Sequence, residues 1–370
     1  MSLFPRKDLC NSNLIVIKIG TSSITDTSGC LEGEKFRKLA QEVHYIVSGR
    51  KKQVVLVSSG AIAAGVQKLG RSKAVCSIPE KQAAAAIGQN LLLTQYEKAF
   101  GAFGLAVGQV LLTRDAMEDR ERYLNSRNTI LQLLKFGAVP VINENDTMAT
   151  DEIRVGDNDN LSALVASLIG ADLLILLSDV EGFFMDGKLL SYVDKITKEI
   201  GSAAKGSSTL LGTGGMSTKL DAAKIVLNAG IPMVIADNKK EGVITSVLDG
   251  NEEGTLFVPK LSRMESKKRW IAHGKKPAGQ VVIDAGACKA LLEGGKSLLA
   301  VGIKEIKGRF GTGEVIGILD GSKKEIGRGL TNYTSEQLAR IKGLKTSEIE
   351  KEEEGSLGEE VVHRDNMVIL

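Results

Sequence analysis

The stretch "NLIVIKIG" (13–20) is an apolar run that ends in a glycine. It lacks the polar alternation of a half-exposed strand, so it predicts a strand that is buried on both faces. An amphipathic pattern follows in "EKFRKLAQEVHYIVSG" (34–49), which predicts a helix that ends at a glycine. A second apolar run, "QVVLVSSG" (53–60), again leads into a glycine turn. This order of strand, helix and strand is typical of a parallel sheet.

The same alternation continues along the next two hundred residues. Further strands are predicted at 105–112, 138–143, 172–179 and 231–237, and further helices at 80–100, 120–136, 160–169 and 217–229. The pattern predicts an α/β domain, a three-layer sandwich in which helices cover both faces of a mainly parallel central sheet. In such sheets, ligands bind beyond the carboxyl ends of the strands.

Length and composition favour a two-domain protein of a reducing compartment. The chain has 370 residues, of which 43% are hydrophobic, and 48 Lys and Arg against 45 Asp and Glu give a net charge of +3. This balance does not predict a surface that coats a polyanion. Four scattered cysteines and three histidines argue against a zinc site or a disulfide framework. No run reaches the roughly 18 apolar residues of a membrane span, so we expect a cytoplasmic protein.

The character of the sequence changes near residue 260. The basic segment "SRMESKKRWIAHGKKPAG" (262–279) predicts a connecting helix, and the short strands and glycine turns beyond it predict a small, mostly β module. The acidic segment "SEIEKEEEGSLGEE" (347–360) predicts a solvated helix or linker, and "VVHRDNMVIL" a last strand. The predicted domains are 1–260, a linker helix at 261–276, and the module at 277–370.

Small polar residues gather where the predicted strands end. These clusters are Lys18 to Ser22, Ser58 to Ala61, Asn143 to Asp146, Ser178 with Asp179, and the loop "GTGGMSTK" (212–219). Glycines let the backbone approach a ligand closely, and helix N-termini offer N–H groups to an anion. Together with the charges of Lys18 and Lys219, these turns suit a polyphosphate and a phosphoryl transition state.

The stretch "VGDNDNLSALVA" (155–166) places two acids and two amides at the start of a helical pattern. Asp and Asn are favoured N-caps, so one reading is an elaborate cap. One cap needs only one such side chain, and the excess favours a site. The loop "GTGG" is equally consistent with an ordinary flexible turn, and each lysine with a solvated strand or helix end.

Five segments in this order resemble the glutamate 5-kinase family of the amino-acid-kinase superfamily. They are "KIGTSSIT", "VSSGAIAAG", "LLTRDAMEDRERYLNSRNTI", "PVINENDTMATDEIRVGDNDNLSALVA" and "LGTGGMSTKLDAAKI". The resemblance spans roughly residues 13–258. Residues 277–345, with "PAGQVVIDAGACKALLEGGKSLLAVGI" and "GEVIGI", resemble a PUA domain.

The resemblance implies a function in amino-acid biosynthesis. It implies ATP-dependent phosphorylation of the γ-carboxylate of L-glutamate to L-glutamyl 5-phosphate, the first step of proline biosynthesis, with proline as a feedback inhibitor. It also implies that Mg²⁺ accompanies ATP without a direct protein ligand, that the chain forms a homodimer or homotetramer, and that a glutamyl-phosphate reductase is a partner.

The resemblance also assigns roles to individual residues. Lys18 would contact the transferring phosphate, Lys219 would stabilise the same charge from the nucleotide side, and Asp159 would hold both lysines in position and keep them protonated. The implied ATP-binding residues are Lys18, Ser178, Asp179, Thr213, Gly214, Gly215, Met216, Ser217, Thr218 and Lys219.

The implied substrate-binding residues are Ser59, Gly60, Asp146 and Asn158. Asp146 would pair with the α-ammonium of glutamate, while Asn158 and the amides near Ser59 and Gly60 would bind carboxylate oxygens. A carboxylate nucleophile is already ionised at neutral pH, so no general base is required.

Two features depart from the family pattern. Ser58 stands where threonine is common, and the segment "VEGFFMDGKLL" after Asp179 is shorter than usual. The resemblance implies that this segment (180–190) is a hairpin near the nucleotide, so the contacts of the nucleotide base are not predicted.

Two other functional classes compete with this interpretation. One is another kinase of the same fold, aspartokinase-like or uridylate-kinase-like, which the block "NENDTMATDEIRVGDNDN" disfavours. The other is an RNA-binding protein, argued from the PUA-like module and the basic run at 263–276. A solvated helix face explains the same basic charges, so nucleic acid is the less favoured binding partner.

Overall fold

The computed structural model describes residues 5–70, 77–113, 117, 119–148, 158–205, 215–274, 276–344, 348–349 and 360–370. The chain divides into two compact units, Met1–Lys260 and Leu261–Leu370. None of the helices within these described ranges is long and apolar enough to cross a membrane.

The first unit is built on an eight-stranded sheet. In chain order its strands are β1 (Leu14–Ile19), β2 (Gln53–Ser58), β3 (Val107–Leu112), β4 (Val139–Glu144), β5 (Leu173–Ser178), β8 (Tyr192–Val193), β9 (Met233–Asp237) and β10 (Thr255–Phe257). The spatial order is β3-β4-β2-β1-β5-β9-β10-β8, and the first six of these strands are parallel. The predicted mainly parallel sheet is therefore confirmed.

Helices cover both faces of this sheet. One layer contains α1 (Gly33–His44), α2 (Ala61–Lys68), α3 (Ile78–Gly101) and α8 (Val243–Leu248), and the other contains α4 (Arg120–Lys135), α5 (Asn158–Ile169), α6 (Lys198–Lys205) and α7 (Met216–Asn228). Successive residues of β1 alternate between the two cores, with Ile15 and Ile17 in one and Val16 in the other. This alternation explains why the strand is apolar throughout.

The hairpin expected at residues 180–190 is present. Strands β6 (Phe184–Met185) and β7 (Lys188–Leu189) form it as a separate two-stranded sheet, and Asp186 and Gly187 have positive φ values of 51° and 75°, as a two-residue hairpin turn requires. The sequence pattern did not predict β10, which runs antiparallel to β9, because a strand of three residues carries too little periodicity.

Helices α2 and α3 pack with their backbones almost in contact. A Cβ atom added to Gly65 of α2 would lie 1.8 Å from the carbonyl oxygen of Ala84, and one added to Gly88 of α3 would lie 1.7 Å from that of Ala61. Only glycine fits at either position. Helix α3 begins with a capping box in which Ser77 accepts from the N–H of Glu80 and the Glu80 carboxylate accepts from Ser77.

The second unit is the small, mostly β module that the sequence predicts. Its sheet has the order β13-β11-β14-β15-β17, and β12 pairs with β16. The strands are β11 (Gly279–Ile283), β12 (Leu298–Leu299), β13 (Ile303–Lys307), β14 (Val315–Leu319), β15 (Glu325–Leu330), β16 (Glu360–Val362) and β17 (Met367–Ile369), and the helices are α9 (Arg263–His273), α10 (Ala285–Leu292) and α11 (Ser335–Ile341).

Two details of the second unit differ from the sequence prediction. The single terminal strand is wrong, because a 3₁₀ turn at Arg364–Asn366 divides it into β16 and β17, which belong to different sheets. Helix α9, predicted as a linker, is part of this unit, where the Arg328 guanidinium donates to the Ala272 carbonyl oxygen. Most of the acidic segment lies outside the described residues.

The α2–α3 contact yields a stability test. We expect Gly88→Ala to lower the free energy of unfolding by about 2 kcal/mol, because the added methyl group has no space against the backbone of α2. Gly101→Ala is the matched control in the same helix, since nothing lies within 4 Å of its added Cβ. Urea denaturation measures the free energy of unfolding of both variants. If Gly88→Ala were as stable as Gly101→Ala, the close packing of α2 against α3 would not contribute to stability.

Candidate functional site

Four parallel strands and two helices bring the predicted site residues to one edge of the first unit. Strands β1, β2, β4 and β5 run in the same direction, so their carboxyl ends lie together. Helices α5 and α7 begin with residues that contact the same edge. Lys18 comes from β1, Asp159 from the first turn of α5, and Lys219 from the first turn of α7.

Asp159 joins the two lysines. Its Oδ1 lies 2.8 Å from Lys18 Nζ, and its Oδ2 lies 3.1 Å from Lys219 Nζ. The three side chains are almost fully buried, with exposed fractions of 11% for Lys18, 7% for Lys219 and 1% for Asp159. The two amines therefore lie on opposite oxygens of one carboxylate, which fixes their separation.

The charges of the lysines determine the ionisation of Asp159. Burial by itself would raise the pKa of the Asp159 carboxyl, but the charges and hydrogen bonds of Lys18 and Lys219 outweigh it and lower the pKa to about 2. The carboxylate is ionised throughout the physiological range. The buried cluster thus carries two positive charges and one negative charge, and its net charge of +1 favours an anion.

The first turn of α7 supplies a second polar group to Asp159. The Thr218 hydroxyl lies 2.9 Å from Asp159 Oδ2 and 2.8 Å from the Gly215 carbonyl oxygen. Gly215 is the N-cap of α7 and has no side chain to cap it, and the N–H of Thr218 donates to the Gly215 carbonyl oxygen at 3.2 Å. Among the described residues, the N–H groups of Met216 and Ser217 have no acceptor, so they can bind an anion. Met216 and Ser217 belong to this turn, whereas Thr213 and Gly214 lie outside the described residues.

Ser178 and Asp179 lie at the carboxyl end of β5. The Ser178 hydroxyl donates to Asp179 Oδ1 at 3.3 Å, and the Ser178 carbonyl oxygen accepts from the N–H of Asn238. Asn238 follows β9 and also donates through its side chain to Ser22 and Ser23. These contacts tie the ends of β5 and β9 to the turn after β1.

Asn158 is held by two hydrogen bonds from its side-chain amide. Its Nδ2 donates to the Ser58 carbonyl oxygen and, at 2.9 Å, to Asn143 Oδ1. Both amide hydrogens are therefore used, and among the described residues Oδ1 has no partner. The expectation that this amide donates to a carboxylate needs correction, because the side chain can only present an acceptor.

Ser59 and Gly60 lie at the turn between β2 and α2. The N–H of Ser59 donates to the Ile19 carbonyl oxygen, so it extends the sheet and is not available to a ligand. Gly60 is the N-cap of α2 with a φ of 104°, a conformation that favours glycine, and no side chain caps the helix. The backbone N–H groups at this turn that can bind a carboxylate are therefore those of Gly60 and the first turn of α2.

Asp146 follows β4 in a short 3₁₀ turn, Asp146–Met148, and is 8% exposed. Burial raises the pKa of its carboxyl to about 6, and no cation among the described residues lies beside it to favour the charged form. A buried carboxylate that lacks a cation is suited to receive one from a ligand. Residues 149–157 lie outside the described residues.

Sequence reasoning missed the residues that orient Asn158. Asn143 and Ser58 were noted only as members of polar strand ends, yet their side-chain and backbone oxygens hold the Asn158 amide. Tyr96 was missed altogether, although its hydroxyl lies 2.8 Å from Ser58 Oγ. It sits in an apolar helical pattern, and no sequence signal separates it from a core residue.

The site combines two anion-binding features with an acceptor-lined region. The Lys18–Asp159–Lys219 cluster and the uncapped start of α7 favour negative charge, while Asp146 and Asn158 Oδ1 favour a donor or a cation. The described residues contain no group of three His, Cys, Asp or Glu side chains that could hold a metal ion.

This fold is that of a known class of phosphotransferases. The model of the amino acid kinase family matches residues 13–237, more than half of the chain, and the model of the PUA domain matches residues 279–352.

The curated relatives of the chain identify its subgroup within this class. The glutamate 5-kinase of Moorella thermoacetica is 47% identical and covers 99% of this chain and 98% of that protein. Those of a Thermoanaerobacter species and of Pelobacter propionicus are 45% and 44% identical, each covering 96% of this chain and 97% of the relative. The chain therefore belongs to the amino acid kinase family, and within it to the glutamate 5-kinases, so it is a kinase.

The buried cluster yields a second stability test. We expect Asp159→Asn to lower the free energy of unfolding by about 3–5 kcal/mol, because it leaves two buried ammonium groups without their counter-charge. Asp221→Asn is the control, since Asp221 pairs with Lys224 on an exposed face of α7 and its loss should cost under about 1 kcal/mol. Similar losses in the two variants would contradict the proposed strength of the buried cluster.

Proposed function

We propose that this chain transfers the γ-phosphoryl group of ATP to the γ-carboxylate of L-glutamate and so forms L-glutamyl 5-phosphate and ADP, the first step of proline biosynthesis. The observation that carries the proposal is the pair of buried lysines on one aspartate at the strand ends. The identity of 44–47% with glutamate 5-kinases over nearly the whole chain supports the choice of glutamate.

The chemistry requires charge neutralisation more than acid–base catalysis. A carboxylate oxygen attacks the γ-phosphorus, a new P–O bond forms, and the bond from that phosphorus to the bridging oxygen of ADP breaks, with no proton transferred. Both reactants are anions, so their repulsion opposes the approach. Lys18 and Lys219 would oppose that repulsion and stabilise the charge that develops on the equatorial oxygens.

Asp159 would act by holding the two amines. A carboxylate between them lets two like charges stay close without the solvent that would otherwise screen them. The Thr218 hydroxyl, in the first turn of α7, would hold the Asp159 carboxylate in position. The positions of the Lys18 and Lys219 amines would then depend on the helix that borders the nucleotide.

The α-amino acid part of glutamate would bind at Asp146 and Asn158. Both present acceptor oxygens, and an α-ammonium group is a three-hydrogen donor with a positive charge. The uncapped start of α2 at Gly60 would favour a carboxylate through its N–H groups and partial positive charge. This distribution differs from the sequence-based assignment in two ways: Asn158 is an acceptor, and the N–H of Ser59 does not contact the ligand.

The nucleotide would lie toward α7 and the end of β5. Gly215 to Lys219 would contact phosphates through backbone N–H groups, and Ser178 and Asp179 would border the nucleotide. We propose that Mg²⁺ accompanies ATP, held by phosphate oxygens and water as is usual for this ion. When bound, it supplies charge neutralisation of the β- and γ-phosphates.

Further parts of the proposal rest on the family alone. They are feedback inhibition by proline, assembly into a homodimer or homotetramer, a cytoplasmic location and a glutamyl-phosphate reductase as partner.

The test of the proposal is ADP release in a coupled assay. With ATP and Mg²⁺, we expect turnover with glutamate that exceeds turnover with aspartate, carbamate or UMP by at least about 100-fold in kcat/KM, since a misfit of buried polar groups is costly. The same assay with added proline tests inhibition. Equal rates with aspartate or UMP would assign the chain to another substrate of the same fold.

Lys219 offers a test of the catalytic site. We expect Lys219→Ala to lower kcat by at least about 100-fold with little change in glutamate KM, because the lost charge acts mainly on the transition state. Lys224→Ala is the control, as Lys224 lies on the exposed side of the same helix and, within the described residues, pairs with Asp221 alone. A Lys219 variant that keeps its kcat would remove this lysine from the mechanism.

The raised pKa of Asp146 predicts a pH dependence. Since the ionised carboxylate is the form that pairs with an ammonium, kcat/KM for glutamate should fall as pH drops through about 6. Glutamate itself remains ionised down to about pH 4.3 and does not cause the decline. In Asp146→Asn, kcat/KM should be low and flat between pH 5 and about 7.5; an unchanged decline would locate the titration elsewhere.

A further inference from the structure

Tyr96 carries a buried hydroxyl group that the proposed mechanism does not use. Its side chain in α3 is fully buried and packs against Phe36 at a ring-centroid distance of 4.9 Å and against Phe100 at 5.9 Å. Phenylalanine would fill the same apolar space without a polar atom. A buried hydroxyl is costly unless it has a hydrogen-bond partner, so the partner shows what the group does.

The partner of Tyr96 is Ser58, the last residue of β2. The two hydroxyl oxygens lie 2.8 Å apart, and Ser58 Oγ also donates to the Ser59 carbonyl oxygen at 3.0 Å. Each hydroxyl group can donate one hydrogen and accept another, so either oxygen can be the donor in the bond between Tyr96 and Ser58. Burial raises the pKa of the Tyr96 phenol above its ordinary value, which keeps the phenol protonated and able to donate.

Ser58 passes this constraint to Asn158. Its backbone carbonyl oxygen accepts from Asn158 Nδ2, and a carbonyl can only accept, so the bond decides which way the amide faces. The other hydrogen of Nδ2 goes to Asn143 Oδ1, which also accepts from the N–H of Glu144. The chain of bonds therefore runs from a core tyrosine to a residue of the proposed substrate site.

We propose that Tyr96 is a positioning residue that, through Ser58, fixes Asn158 with its Oδ1 toward the substrate and so helps select an amino acid by its α-ammonium group. The inference rests on the proposed function and deepens it. The buried Tyr96 hydroxyl group holds the side chain and carbonyl of Ser58 in place. The fixed Asn158 amide then presents its oxygen to the ligand, and this acceptor binds an ammonium group and repels a carboxylate. Together with Asp146, this acceptor distinguishes glutamate from glutarate, the same dicarboxylate without the ammonium group.

The test compares Tyr96→Phe with Phe100→Leu. Tyr96→Phe removes only the hydroxyl, while Phe100→Leu loosens the same core and leaves the hydrogen bonds intact. For Tyr96→Phe we expect glutamate KM to rise about fivefold to tenfold, which corresponds to the loss of one hydrogen bond, with kcat and the KM for ATP within about twofold of the wild type. The ratio of kcat/KM for glutamate over glutarate should fall by a similar factor.

The control variant separates positioning from stability. Phe100→Leu should lower the melting temperature yet leave the glutamate-to-glutarate ratio unchanged. Ser58→Ala removes the next bond of the chain, so it should lower the ratio as Tyr96→Phe does, and the double variant should lower it no further. An unchanged ratio in Tyr96→Phe, or an equal fall in Phe100→Leu, would overturn the proposal.

Failure of the proposed function is a separate result. If the wild-type protein releases no ADP with glutamate, the substrate assignment fails whatever Tyr96 does. A crystal structure of Tyr96→Phe then decides the structural part of the inference without any substrate. A displaced Asn158 amide would support the positioning role, and an amide still bonded to the Ser58 carbonyl oxygen would refute it.

Discussion

The site depends on one buried carboxylate. Asp159 holds Lys18 and Lys219 on its two oxygens, and the charges of these lysines keep its pKa near 2 despite burial. Removing one partner from such a cluster leaves an uncompensated charge in a medium that cannot solvate it. The three residues come from β1, α5 and α7, so their ion pairs also link helices α5 and α7 to the central strand β1. Stability and anion binding therefore rest on the same atoms.

The parallel sheet makes this convergence possible. Strands that run in one direction place all their carboxyl ends at one edge, and the helices that follow them begin near that edge with unsatisfied N–H groups. In this chain the edge is divided by charge. The lysine cluster and the start of α7 attract anions, while Asp146 and Asn158 offer acceptors to a cation. A molecule that carries both signs of charge fits the two regions together.

Packing behind the site sets its precision. Helices α2 and α3 approach so closely that Gly65 and Gly88 have no room for a Cβ atom, and α3 carries Tyr96 to the end of β2. Through the Tyr96 hydroxyl group, the core that stabilises the first unit is connected by hydrogen bonds to Ser58 and Asn158. A tyrosine in this position shows how an apolar helix face can hold a hydrogen-bonded polar group that periodicity alone assigns to the core.

The sequence by itself determined the α/β class, the order of the six parallel strands along the chain, the helices between them and the mostly β second unit, because apolar periodicity and glycine turns are local signals. It also identified Lys18 and Lys219 as candidates from their places at strand and helix ends, and the family resemblance singled out Asp159. Only the tertiary structure decided which groups meet: the two lysines on one carboxylate, the antiparallel pairing of β10 with β9, and the bonds from Tyr96 through Ser58 that make Asn158 an acceptor. These features depend on distances between residues far apart in the chain, and no local pattern of side chains encodes such distances.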